Sequence, residues 1–334
     1  MNCCLATYIH DLSPFLIRIK GDLGIRWYGL MYVFGFIAAF LLLRWFVRLK
    51  CCELKEEKVA DFITIIAIFG VMIGGRLGYM LIYSPKEFFG DPLMFFRFLD
   101  GGMASHGAIY GITLVVFIYS RWQKLSWLGL GDNLVITGPL GVFFGRIGNF
   151  INGELYGRET DHSWAMKFPN ELHSIQPARL LEVVEKAKPI APELSVNVNN
   201  LIASTQSFPH WNVSEMMIAT ARKNEEFQIM MADALLKLRH PSQIYQALCE
   251  GLLVFLILLA VRLKWKNAYH GFISGLFFIT YAIARIAVEN VRQPDSQFIM
   301  GVTKGQFYSG IMIITGIILI VYSLITKRQN QIPE

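Results

Sequence analysis

Residues Trp27 to Val47, WYGLMYVFGFIAAFLLLRWFV, carry a single charge, Arg44. Coiled as an α-helix at about 1.5 Å per residue, the stretch reaches roughly 30 Å, the depth of a bilayer's hydrocarbon layer. Six more apolar blocks follow, at about 60–83, 104–120, 133–152, 242–263, 271–289 and 306–326. The third is short at its polar entrance and the fourth is rich in glycine. The pattern predicts an all-α polytopic membrane protein of seven transmembrane helices with a small extramembrane subdomain on the periplasmic side. The organisation expected is an N-terminal outward segment (1–25), helices one to four (26–152), an insert or head region (153–240), and helices five to seven with a cytoplasmic tail (241–334).

Bulk composition agrees. Of 334 residues, 54 % are hydrophobic, 13 % aromatic and only 17 % charged, with a mean hydropathy of +0.43. Soluble domains carry about 25 % charged residues, so a cytosolic enzyme and a disordered chain are both excluded. The formal charge of +6 does not point to nucleic acid. The basic residues are scattered at the ends of apolar blocks, with no continuous basic stripe. Five cysteines, Cys3, Cys4, Cys51, Cys52 and Cys249, form neither a CxxC zinc pattern nor a disulfide framework. The N-terminus lacks the charge, apolar core and cleavage-site order of a signal peptide, so the first block reads as a retained span.

Cytoplasmic ends of spans are enriched in Lys and Arg. Arg48, Lys50, Lys55, Lys58, Arg121, Lys124, Arg262, Lys264, Lys266, Lys327 and Arg328 fall on one side. They outnumber Arg18, Lys20, Arg26, Lys86, Arg97, Arg292 and Lys304 on the other. The N-terminus and the long insert are therefore expected outside, and the C-terminus in the cytoplasm.

A charge at bilayer depth costs at least about 2.5 kcal/mol, so each one demands a reason. GRIGNFINGELYGR (145–158) places Arg146 and Asn149 on one helix face among four glycines. The glycines suit either close helix packing (Gly141xxxGly145, Gly153xxxGly157) or backbone unwound along a cavity. A guanidinium beside a carboxamide suits a phosphate, to which Arg donates two parallel hydrogen bonds; the plainer alternative is pairing of Arg146 with Glu154. Tyr281, Arg285 and Glu289 step by four along another span. They form either an internal ion pair or an anion-directed arginine held by a glutamate. His106 opens a span between glycines in GGMASHGAIYG (101–111), and imidazole is the natural proton acceptor near neutral pH. Lesser features are Trp27-Tyr28-Gly29, Gly74-Gly75-Arg76 and HPSQIY (240–245). HExxH, GxSxG and Walker-loop motifs are absent, which removes the intramembrane metalloprotease, the α/β-hydrolase lipase and the ATP-driven pump.

With these motifs together, the sequence closely resembles the prolipoprotein diacylglyceryl transferase family. The resemblance rests on GRIGNFINGELYGR, accompanied in order by WYGLMY (27–32), GGRLGY (74–79), HPSQIY (240–245) and YAIARIAVENVRQPD (281–295). It covers roughly 20–180 and 238–325. It implies a seven-helix enzyme of the bacterial inner membrane. Such an enzyme moves the diacylglyceryl group of phosphatidylglycerol onto the lipobox cysteine thiol of a preprolipoprotein, leaving a thioether and glycerol phosphate. Carried over by motif position, the essential residues fall on Tyr28, His106, Arg146, Asn149, Glu154, Gly157, Tyr281, Arg285 and Glu289. Of these, Tyr28, His106, Arg146, Arg285 and Glu289 are expected to act in catalysis. Arg146, Asn149, Glu154, Gly157, Tyr281 and Arg285 are expected to bind the headgroup. The family's HGG is His106-Gly107-Ala108 here, and region 180–238 carries no assigned role. No metal or soluble cofactor is expected. The rival readings are a transporter or channel for an anionic solute, and a non-catalytic assembly factor.

Overall fold

The computed structural model describes residues 8–20, 23–97, 101–293 and 301–329. Cys3, Cys4 and Asp295, named above, lie outside them. The described chain is mostly helical, and six of its helices are long and apolar enough to cross a membrane. They are α1 (Trp27–Arg48), α2 (Glu56–Ile82), α4 (Trp127–Asn152), α9 (Ser242–Lys264), α10 (Phe272–Glu289) and α11 (Lys304–Thr326). Between α2 and α4 lies α3 (Ser105–Gln123), 19 residues long and more polar at both ends. Ile37 and Leu41 on α1 and Ile314 and Ile325 on α11 are exposed, as side chains facing lipid are.

The chain divides into two compact units, one of 1–30, 145–247 and 288–297, the other of 31–144, 248–287 and 298–334. The second unit is built on the spans. Its core joins Leu43, Phe46, Phe62, Ile136, Leu258 and Ile273, each fully or nearly fully buried. Two helices approach there through glycine. A methyl group on Gly78 would stand 2.4 Å from the Cα of Gly107, and one on Gly74 would stand 2.8 Å from the carbonyl oxygen of Gly107. The close small-residue packing that lets backbones touch in lipid thus joins α2 to α3. It is not found at Gly141xxxGly145, where an added methyl would meet nothing within 4 Å. Nor does the backbone unwind there, since the helix runs unbroken from Gly138 to Asn152.

Asp132 on α4 organises the start of α10. Its carboxylate accepts from the Gly271 amide at 2.7 Å and from the Ser274 amide and hydroxyl at 2.8 and 2.6 Å. The first amides of a helix have no partner within it, and here a neighbouring span supplies one. Asp132→Ala is expected to destabilise the protein by about 2–4 kcal/mol, since it strands two buried amides. Thermal unfolding in detergent measures this; an unchanged midpoint would show that the cap contributes nothing.

The first unit contains the only strands among the described residues. β1 (Phe15–Lys20) pairs antiparallel with β2 (Leu23–Arg26), so the chain just before α1 is a hairpin. Its signal, Ile17, Ile19 and Ile25 alternating with Arg18 and Arg26, is only a few residues long per strand. The insert forms four amphipathic helices, α5 (Pro177–Lys186), α6 (Pro192–Ala203), α7 (His210–Ala221) and α8 (Glu225–Leu235). Leu180, Val198, Met217 and Phe227 are fully buried among them, each contributing about 1.5–3 kcal/mol by leaving water. Asn224 caps α8 by accepting from the Phe227 amide.

Candidate functional site

In the first unit, the end of α4 and the loop after it carry the glycine-rich motif. Arg146 Nη1 donates to Asn149 Oδ1 at 3.4 Å, and Asn149 Nδ2 donates to Glu154 Oε1 at 2.8 Å. Asn152 Nδ2 reaches the same oxygen at 3.2 Å. The side chains therefore form a relay from guanidinium through carboxamide to carboxylate. Asn149 is 6 % exposed, so its amide is held in one orientation. The carboxamide of Asn149 thus lies between the Arg146 guanidinium and the Glu154 carboxylate.

The loop turns sharply where α4 ends. Gly153 has φ +69° and Leu155 φ +57°, a left-handed conformation that only glycine adopts freely. The turn is held by HPSQIY. Gln243 Nε2 donates to the Glu154 carbonyl at 2.7 Å, Ser242 Oγ to the Leu155 carbonyl at 3.0 Å, and the Gly157 amide to the His240 carbonyl at 2.9 Å. On its other side Gly157 bridges to Arg292, and the Arg158 amide donates to the Val291 carbonyl at 2.9 Å. Gly157 is thus the point where three chain segments meet, and a methyl there would lie 2.5 Å from the Val291 carbonyl oxygen. Its contribution is backbone proximity.

Beside this junction, buried Arg239 ion-pairs with Glu171, donates to Gln293 Oε1 at 2.7 Å and lies over the Tyr156 ring. Glu289, 5 % exposed, sits 3.9 Å from Arg292 Nη1. His240 faces His162 at 5.4 Å between ring centroids and Tyr245 at 5.9 Å; burial and then the neighbouring imidazole hold its pKa below the ordinary value. His10, packed against Phe150 and Phe168, is likewise lowered by burial. Tyr28 lies half-buried in the first turn of α1.

In the second unit, Tyr281 and Arg285 occupy successive turns of α10 and meet one carboxylate. Tyr281 Oη is 3.4 Å from Glu250 Oε2, and Arg285 Nη1 is 3.3 Å from Glu250 Oε1. The fold thus brings Glu250, from α9, to Arg285. Glu250 is fully buried. The criterion that singled out Arg285, a charge inside an apolar block, applies equally to Glu250 in ALCEGLL (247–253). His106 is exposed in the first turn of α3, 6.3 Å from the Tyr308 ring.

Arg76, a lesser feature of the sequence, is 1 % exposed. It donates to the carbonyls of Met94, Phe95, Arg97, Gly101 and Gly102. One guanidinium so ties down backbone on both sides of the segment leading to His106, and the Ala104 amide closes onto the Gly75 carbonyl at 2.9 Å. Cys51 and Cys52 are buried. Burial pushes the Cys52 thiol up to about 11, so it is protonated and inert at neutral pH. Among the described residues no three His, Cys, Asp or Glu side chains gather as a metal site.

Comparison with known proteins bears on this arrangement. The family description "Prolipoprotein diacylglyceryl transferase" matches residues 14–322. Three proteins named phosphatidylglycerol–prolipoprotein diacylglyceryl transferase are similar along almost their whole length. That of Bdellovibrio bacteriovorus is 39 % identical over 94 % of this chain and 93 % of its own. That of Stenotrophomonas maltophilia is 36 % identical over 95 % and 93 %, and that of Paraburkholderia phytofirmans 35 % identical over 96 % of each.

Proposed function

The chain belongs to the prolipoprotein diacylglyceryl transferase family, and from that premise we propose how its own residues perform the transfer. The enzyme takes the diacylglyceryl group of phosphatidylglycerol and attaches it to a prolipoprotein. The acceptor atom is the sulfur of the lipobox cysteine. Its thiolate attacks the glycerol carbon that bears the phosphate. A carbon–sulfur bond forms, the carbon–oxygen bond breaks, and the electron pair leaves on the phosphate as glycerol phosphate.

Two demands follow. The phosphate must be gripped while its charge grows, which fixed cations do best away from water, and the thiol, with an ordinary pKa of about 8.5, must lose its proton. Arg146 and Arg285 bind the phosphate. Asn149, whose carboxamide is pinned between Arg146 and Glu154, binds its oxygens or the glycerol hydroxyls. Tyr281 and Glu154 complete the headgroup contacts, Tyr28 assists at the reacting carbon, Glu289 helps to orient Arg285, and Gly157 keeps the motif loop in place. His106 takes the thiol proton. The relay Arg146–Asn149–Glu154 is the observation that carries this reading. It turns three scattered polar residues of one motif into a preorganised anion-binding group.

The protein spans the bacterial cytoplasmic membrane seven times, with α3 as the remaining span and the helical insert on the outer side. The glycine contact of α3 with α2 supports its place among the spans, since small residues that let backbones approach are enriched where helices pack in lipid. Incubating the purified protein with phosphatidylglycerol vesicles and a lipobox peptide tests the function. A peptide heavier by one diacylglyceryl group is expected; an unmodified peptide would leave the transporter or the assembly factor. For the base, His106→Gln is expected to remove the acidic limb of the pH–rate profile, because the imidazole whose protonation switches off the base is then gone. A profile that keeps this limb would assign the proton transfer to another group.

A further inference from the structure

We infer that Glu250 is a positioning residue for transfer: its buried carboxylate fixes the plane of the Arg285 guanidinium that grips the lipid phosphate. The inference rests on the proposed phosphate role of Arg285.

Three observations support it. First, the two oxygens of one carboxylate serve two residues of the headgroup site. Oε1 meets Arg285 Nη1 at 3.3 Å and Oε2 meets Tyr281 Oη at 3.4 Å. Tyr281 and Arg285 are four residues apart and share a helix face, so the carboxylate binds that face at two points. Holding one Nη of a rigid, planar guanidinium sets the direction of its other N–H bonds.

Second, α9 departs from α-helical geometry where Glu250 sits. Residues Ala247–Leu253 form a π-helical segment, whose wider turn re-aims side chains; such segments recur at functional sites. Third, the next residue locks the register. A methyl on Gly251 would stand 2.7 Å from Phe143 Cβ and 2.8 Å from its Cα. The α9 backbone therefore lies directly against α4, and the carboxylate beside it has little freedom to swing.

A buried carboxylate inside an apolar span is unfavourable to insert. An ion pair that only holds helices together is often replaceable by apolar packing without loss of stability. Here the carboxylate also sets the resting charge around Arg285. It partly neutralises the guanidinium before lipid arrives and orients it for the phosphate that must leave.

The test compares wild type, Glu250→Gln and Arg285→Lys in phosphatidylglycerol vesicles with the lipobox peptide, normalised to inserted protein. Glu250→Gln keeps the shape and loses the charge. Its kcat is expected to fall at least fivefold. Its KM for the lipid should stay within twofold or decrease, because a less neutralised guanidinium still attracts the ground-state phosphate. A purely structural role would lower the amount of inserted protein without splitting kcat from KM. A smaller loss of kcat, or a KM that rises beyond twofold, overturns the inference. If Glu250→Gln does not accumulate in the membrane, Glu250→Asp, which keeps the charge but retracts it by one methylene, is judged by the same criterion. Normal transfer by Arg285→Lys would instead sink the phosphate reading itself. An inactive Arg285→Lys beside a normal Glu250→Gln removes only the positioning role.

Discussion

Arg285→Lys is expected to lose about 10²–10³-fold in kcat/KM for diacylglyceryl transfer while the protein still inserts, the range seen when one preorganised donor to a developing anion is removed. The substitution keeps the positive charge, so a role as a generic cation would leave activity nearly intact. It loses the planar fork that forms two parallel bonds to a phosphate. It also changes the group presented to Glu250. An ammonium on a flexible stem can follow that carboxylate in any direction, whereas the guanidinium is held at Nη1 3.3 Å from Oε1. Lipidation of the peptide by mass spectrometry, normalised to inserted protein, reads the effect. Activity within a few-fold of wild type would remove Arg285 from the phosphate role.

Gly157→Ala is expected to reduce transfer about 100-fold or more, without touching any group that bonds to the lipid. The added methyl would lie 2.5 Å from the Val291 carbonyl oxygen, 2.8 Å from His240 Cβ and 2.9 Å from the His240 carbonyl oxygen. Two of those atoms are backbone, so no rotamer change relieves the clash. The segments must part, and with them go the Gly157–His240 and Arg158–Val291 hydrogen bonds that seat the motif loop. A displacement of about 1 Å at a catalytic loop suffices for a loss of this size. Gly153→Ala offers a graded comparison. There the obstacle is a left-handed φ of +69° and a side chain, His10, at 3.0 Å, so a smaller defect is expected. Near-normal transfer by Gly157→Ala would mean that the three-segment junction tolerates separation and that glycine is needed for another reason.

Parts of the molecule were legible in the residue order because they are local. Apolar blocks of bilayer length placed six spans, since each apolar side chain in a helix is satisfied by lipid or by any apolar neighbour. The i, i+3 and i, i+4 spacings placed Arg146 with Asn149 and Tyr281 with Arg285, because helix geometry fixes those neighbours whatever else the chain does. The amphipathic repeat Leu180, Val183, Val184, Ala187 likewise marks α5.

Only the tertiary structure decided which charges meet between segments distant in sequence. Glu250 and Arg285 are 35 residues apart, Glu171 and Arg239 are 68 apart, and Asp132 caps a helix through Gly271, 139 residues later. No periodicity links such positions. Glycine was ambiguous for the same reason. Gly141xxxGly145 and Gly74xxxGly78 look alike in sequence, yet only at the second pair would an added methyl press within 3 Å of another backbone. Whether a missing side chain leaves room for a neighbour depends on where that neighbour is, and this is fixed by the packing of whole helices.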